Sequence, residues 1–96
     1  RRAWDGMVVG ADSPVFTEAE THIHDAQALE RRIGLKLRDD GRSSRVLLVA
    51  ARTRHNRAVI TEHRGALREL FPLDGAAVLR ALAAGRVPDA GGILLL

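Results

Sequence analysis

The sequence has 96 residues and contains no cysteine, no tyrosine, one tryptophan and two phenylalanines. Without cysteine, the chain can form neither a disulfide nor a thiolate zinc site. Because aromatic residues are so few, the core has to be aliphatic, and binding of single-stranded nucleic acid by base stacking is disfavoured. Long apolar runs are also missing. No segment therefore predicts a signal peptide or a transmembrane helix, and we expect no membrane partner.

Lysine is almost absent as well. Lys36 is the only lysine among 15 basic residues, and the formal net charge is +3. A basic balance permits phosphate binding, but a chain rich in arginine and alanine is also typical of a GC-rich coding genome. The charge alone therefore does not indicate a nucleic-acid partner.

The length and the apolar content of 46 % predict one globular domain over residues 1–96. Because the sequence starts at Arg1 without an initiator methionine, we expect it to be part of a longer chain.

Alternation, helical spacing and turn residues predict an α/β domain in the order β-β-α-β-α-α-β, with a small mixed sheet flanked by helices. The predicted strands cover residues 3–9, 15–23, 45–51 and 93–96, and the predicted helices cover about 26–38, 54–70 and 75–84. Asp25 and Thr53 are the expected N-caps of the first two helices. The third helix is expected to bury Val78, Leu79 and Leu82.

The first helix has an apolar stripe of Leu29, Ile33 and Leu37. On a helical wheel Lys36 lies about 20° from Leu29, so the single lysine is expected to point toward the core. Gly34, in the interior of this helix, lowers its stability by about 1 kcal/mol relative to alanine and is compatible with close backbone packing.

Strand alternation places Phe16, Glu18, Glu20 and His22 on one face of the second strand. Asp5, on the first strand, is expected to oppose the two glutamates across a hairpin. Converging carboxylates hold Mg²⁺, which activates water and stabilises developing phosphate charge. The alternative interpretation is that Asp5, Glu18 and Glu20 form the solvated face of a hairpin.

An aspartate followed by a Glu-x-Lys strand and a helix is typical of the PD-(D/E)XK nuclease superfamily, and this chain resembles that pattern. The resemblance implies that Asp5 and Glu18 ligate the metal. Glu20 occupies the lysine position, so Lys36 of the following helix is the candidate replacement for the missing lysine. Gln27 matches the glutamine found at the start of that helix in some members, although the wheel turns it away from the core.

Two further groups of polar residues invite functional interpretations. His22 and His24, together with the neighbouring glutamates, suggest a transition-metal site, although exposed polar residues on a strand explain them more simply. The segment Thr53–Arg57 follows a buried strand, so Arg54 and Arg57 could hold a phosphate or contact DNA at the helix N-terminus. The alternative is ordinary capping by Thr53. Asn56 and His63 are expected to be satisfied polar groups of the core.

Several segments together resemble the C-terminal domain of actinobacterial XRE-type helix-turn-helix transcriptional regulators. They are Trp4-Asp5, Glu18–Thr21, Gln27–Leu29, Ile33–Asp39 and Thr53–Arg57. The resemblance implies a cytoplasmic parent protein whose DNA-reading helix-turn-helix precedes Arg1, with DNA as its partner and a homodimer as a further expectation. The separate resemblance to the PD-(D/E)XK superfamily implies a restriction-endonuclease-like fold for this domain.

Two functions are compatible with these features. The first is a regulatory or interaction domain that keeps a nuclease-like scaffold and needs no cofactor. The second is a Mg²⁺-dependent phosphodiesterase with catalytic residues Asp5, Glu18, Glu20 and Lys36, whose substrate phosphate is held by arginines. The position of Lys36 relative to Glu18, and of Glu18 relative to Asp5, distinguishes between them.

Overall fold

Three parallel strands and one antiparallel strand form the sheet of this domain. The computed structural model describes residues 6–8, 15–40 and 45–96. The strands are β1 (Gly6–Val8), β2 (Val15–Glu20), β3 (Arg45–Ala50) and β4 (Gly92–Leu95). The helices are α1 (Ala26–Asp40), α2 (Arg54–Glu62), α3 (Arg64–Leu70) and α4 (Gly75–Ala83). The prediction of a small mixed α/β domain is confirmed.

The strands lie side by side in the order β1-β2-β3-β4. β1 runs antiparallel to β2, whereas β2, β3 and β4 run parallel to one another. Parallel neighbours require a crossover connection, which α1 supplies between β2 and β3 and the three later helices supply between β3 and β4. β3 is therefore interior to the sheet, as its continuous apolar run predicts.

Helices cover both faces of the sheet. α1, α2 and α3 pack on one face through Leu29, Ile33, Ile60 and Leu67, which join Phe16, Val46 and Leu48 in the larger core cluster. α4 packs on the other face, where Val78 meets Val15, Leu47 and Leu94. Because β2 alternates, Glu18 shares the first face with Phe16, and it is in register with Leu48 of β3.

The predicted helix 54–70 is two helices, with the break at His63. The Thr61 hydroxyl donates to the Arg57 carbonyl at 2.9 Å, a side-chain bond that bends helices. His63 leaves helical geometry with φ −104° and ψ 18°, and α3 begins at Arg64. Gly65 in the next turn weakens the preference for one continuous helix.

The prediction that Leu79 and Leu82 are buried is wrong. α4 faces the sheet through Val78 and Ala81, which are buried, whereas Leu79 is 51 % exposed. The close contact with β4 decides this orientation, because a Cβ added at Gly92 would lie 2.6 Å from Val78 Cγ2. The expected close packing at Gly34 is also absent, since nothing lies within 4 Å of a Cβ built there.

None of the helices in the described part of the chain has the length and apolar character that crossing a bilayer requires.

Candidate functional site

Glu18 carries the most deeply buried charge among the described residues. The residue is 2 % exposed and lies in the middle of β2, under α1. Its Oε1 accepts a hydrogen bond from Lys36 Nζ, and the two side chains form an ion pair. The Lys36 side chain is 12 % exposed, which agrees with its predicted position on the inner side of α1. The structure therefore brings together two of the four candidate catalytic residues.

Burial of either charge alone would be unfavourable, because a low-dielectric surrounding cannot replace the lost water. α1 solves this by presenting its lysine three residues after the buried Ile33. A carboxylate and an ammonium in direct contact satisfy each other, so the pair is a stable element of the fold.

Glu20, the residue in the lysine position of the motif, lies at the end of β2 and is partly exposed. Its Oε1 accepts a hydrogen bond of 2.5 Å from Arg32 of α1, whose side chain is 46 % exposed. Glu18 and Glu20, on one face of β2, thus pair with Lys36 and Arg32, which lie four positions apart on α1. Glu20 does not join Glu18 in a common cation site, because each carboxylate meets its own cation.

The remaining predicted ligand, Asp5, lies outside the described residues. Among the residues that are described, no group of three or more His, Cys, Asp or Glu side chains could hold a metal ion. Glu18 alone supplies one carboxylate, which is already bound to an ammonium. Whether Asp5 approaches Glu18 is therefore the open part of the predicted magnesium site.

The segment after β3 joins two loops through Asn56, which is fully buried. Its amide oxygen accepts from the Ile23 N–H at 2.8 Å, and its amide nitrogen donates to the Thr21 and Ala51 carbonyls, each at 2.9 Å. Thr53 caps α2 by accepting from the Asn56 N–H at 3.0 Å. Asn56 is the satisfied polar group that the sequence predicts, and it fixes where β2 ends and α1 begins.

Three histidines meet beside this connection. The rings of His22 and His55 stack with centroids 3.9 Å apart, and His24 contacts His22 edge-on at 4.5 Å. His55 Nε2 donates to the Ile23 carbonyl at 2.7 Å. Stacked rings do not direct two nitrogens at one ion, so the predicted transition-metal role gains no support. Desolvation, followed by charge repulsion from His55 and His24, lowers the pKa of the His22 imidazole.

The predicted phosphate-contacting residues do not form one cluster. Gln27 lies in the first turn of α1, where its N–H donates to Asp25 Oδ1 at 3.0 Å, and its side chain is exposed. Arg54 is exposed at the first position of α2. Arg57 instead lines a cavity between α3 and α4. The structure thus separates the three residues among different surroundings.

Three further arginines surround this cavity with Arg57 and are not among the predicted site residues: Arg52, Arg64 and Arg68. A signal was present, because Arg57, Arg64 and Arg68 recur at intervals of seven and four residues. Such a spacing places side chains on one side of a helix.

Comparison with known proteins gives no match: no protein-family model, curated protein or solved structure is significantly similar to this chain. The interpretation of the site therefore rests on its own residues.

Proposed function

We propose that this chain is a regulatory or interaction domain of a DNA-binding transcriptional regulator, built on a nuclease-like scaffold. The burial of the Glu18 carboxylate against Lys36 is the observation that carries the proposal. A catalytic carboxylate has to meet metal and substrate, whereas this one is enclosed between β2 and α1 and satisfied by an internal cation. The pair therefore serves the stability of the scaffold.

The motifs around Trp4-Asp5 and Thr53–Arg57 support the link to helix-turn-helix regulators, because they resemble the C-terminal domains of those proteins. In that setting the DNA contact belongs to the parent protein, and this domain acts on it through dimerisation or a ligand.

A cleavage assay with a metal titration tests the proposal directly. The chain is incubated with single- and double-stranded DNA and millimolar Mg²⁺ or Mn²⁺, and its melting temperature is followed with each ion. An ion that binds only the folded state raises stability. We expect no cleavage and no rise in melting temperature. Metal-dependent cleavage would contradict the regulatory assignment.

The regulatory role itself is tested in the parent protein by deleting residues 1–96 and measuring DNA binding and promoter activity separately. We expect the helix-turn-helix to keep its affinity for DNA while the transcriptional response changes. A deletion that leaves both unchanged would refute a regulatory role for this domain.

A second candidate function is a Mg²⁺-dependent phosphodiesterase of the PD-(D/E)XK type. The approach of Lys36 to Glu18 favours it, because a lysine from the following helix is what the motif lacks at Glu20. For this candidate Asp5→Ala is the decisive variant, since Asp5 would be the second metal ligand. Cleavage that is lost in Asp5→Ala, with the melting temperature unchanged, would establish it.

A further inference from the structure

A cavity of about 500 Å³ lies between α2 and α3 on one side and the start of α4 on the other. We call it the arginine groove after four residues that line it: Arg52, Arg57, Arg64 and Arg68. It borders β4, which lies at the edge of the sheet. Its volume is within the range of small-molecule sites, which is about 300–1,000 Å³.

The four arginine side chains are exposed, and within the described residues none of them has an ion pair or a side-chain hydrogen bond. One acidic residue, Asp74, also lines the groove, but its Oδ1 accepts the Ala77 N–H at 2.9 Å as the N-cap of α4. The groove therefore has a strong excess of positive charge. A concave site with low-dielectric walls concentrates such a field and attracts anions.

The other walls are apolar. Leu79 contributes from α4, and the partly buried Leu73 and Ile93 contribute from the segment before α4 and from β4. Leu79 is 51 % exposed, and it is one of the largest apolar side chains that the fold leaves uncovered. A site with both characters is complementary to a molecule that has an apolar body and an acidic head.

We propose that the arginine groove binds a small amphipathic anion. The carboxylate or phosphate head contacts two or more of the four arginines, and the apolar body lies against Leu79 and the partly buried Leu73 and Ile93. Guanidinium groups suit either head because their N–H donors match two oxygens at once. This surface differs from the Glu18–Lys36 pair, and the inference does not depend on the function proposed above.

Two macromolecular occupants fit the groove less well. An added peptide strand needs the free edge of β4, but the Ile93 N–H donates to the Leu73 carbonyl at 3.2 Å. Gly75 also packs against the Ile93 carbonyl, so closely that a Cβ there would lie 3.4 Å from the oxygen. A DNA duplex presents a convex, charged backbone, which leaves the apolar walls of a narrow cavity unused.

The test titrates the ¹⁵N-labelled chain with decanoate and with decyl phosphate, each below its micelle concentration. Decanol, inorganic phosphate, a DNA duplex and an acidic peptide are titrated in parallel. Amide shifts locate each ligand and calorimetry gives its affinity. We expect both amphipathic anions to shift residues of α3 and the start of α4, and decanol and phosphate to bind at least about tenfold more weakly. The stronger of the two anions identifies the preferred head group.

The variant Arg64→Gln/Arg68→Gln should weaken decanoate binding by about tenfold or more, the factor for one lost charge-assisted hydrogen bond. Arg31→Gln/Arg80→Gln makes the same change in net charge at exposed positions outside the groove and should leave the affinity unchanged. Leu79→Asn should weaken decanoate and decanol alike. Melting curves verify that each variant is folded.

Several results would overturn the proposal. They are an equal affinity for decanol and decanoate, an equal loss in both arginine double variants, shifts outside the groove, or no binding of either anion. DNA or the acidic peptide shifting the groove residues without competition from decanoate would also overturn it, in favour of a macromolecular partner.

Discussion

Glu18 and Glu20 of β2 each meet a cation from α1, whereas the four arginines of the groove beside α3 meet no anion from the described residues. The difference follows solvent access. A charge placed between a sheet and a helix has lost its water and requires an internal partner. A charge at the rim of an open cavity stays hydrated, so it needs no internal partner and remains accessible to a ligand. Glu18, whose burial requires a cation, belongs to the scaffold, whereas the four arginines keep their water and form the surface for which we propose a ligand.

The largest expected effect comes from removing the lysine of the buried pair. Lys36→Met should lower the free energy of unfolding by about 3–5 kcal/mol, because it leaves the buried carboxylate of Glu18 without its cation. Urea denaturation measures the change. The double variant Glu18→Leu/Lys36→Met is the matched control and should recover most of the loss. If the double variant is as unstable as the single one, the two residues do not act as a pair.

The next effect concerns Asn56, whose side chain joins the connections that follow β2 and β3. Asn56→Ala removes three hydrogen bonds and leaves buried backbone groups of two loops unsatisfied, so it should lower stability by about 3 kcal/mol. His55→Ala removes one bond from an exposed residue and should lower it by about 1 kcal/mol. Thermal unfolding measures both variants. Equal losses of stability would show that Asn56 does not hold the two connections more strongly than His55 does.

Gly34→Ala tests whether the side of α1 that faces away from the sheet is free of tertiary contacts. Since nothing lies within 4 Å of an added Cβ, the substitution should raise stability by about 1 kcal/mol through helix propensity. Gly91→Ala is the opposite control, because its Cβ would lie 2.3 Å from the Leu70 carbonyl oxygen. A loss of stability in Gly34→Ala would mean that a neighbour packs against this position.

A smaller effect is expected at the exposed ion pair of β2 and α1. Arg32→Gln should lower stability by less than about 1 kcal/mol, since a partly exposed pair gains little over hydration. The measurement in low and high salt sharpens the contrast with Lys36, because exposed pairs are screened and buried pairs much less so. A loss as large as that of Lys36→Met would remove the distinction between the two pairs.

The smallest effect is expected in the groove. Arg64→Gln/Arg68→Gln should change stability by less than about 0.5 kcal/mol, because neither side chain has an ion pair or side-chain hydrogen bond with the described residues. Removing two like charges could even stabilise the fold slightly. A drop of 2 kcal/mol or more in chemical denaturation would show that these arginines hold the scaffold and would weaken their assignment to a ligand.

Local sequence signals predicted much of the fold. The apolar run of β3, the Asp25 and Thr53 caps and the inward side of Lys36 all agree with the structure. Each depends on neighbours within one or two turns, and such neighbours are visible in the sequence. The exposure of Leu79 was not predictable in this way, because the contact of α4 with Gly92, far away in the chain, decided it. The break at His63 has a local signal in Thr61, whose hydroxyl bonds to the Arg57 carbonyl, but the helical periodicity of residues 54–70 does not show it.

The candidate site was predicted in part for the same reason. The sequence named Glu18 and Lys36 separately, from strand alternation and the helical wheel. Their direct contact depends on how α1 crosses the sheet, and the pairing of Glu20 with Arg32 depends on it too. The arginine groove was missed because its lining residues come from α2, α3, α4 and β4, elements that are adjacent only after folding.

By itself, the sequence determined an aliphatic α/β domain with one lysine, a carboxylate pair on a strand and an excess of arginine. These properties follow from composition and from the periods of strand and helix. Only the tertiary structure decided which charges are paired. The pairing depends on distances between segments that are far apart in the chain. Burial makes the partner necessary, because a buried charge without one is strongly destabilising.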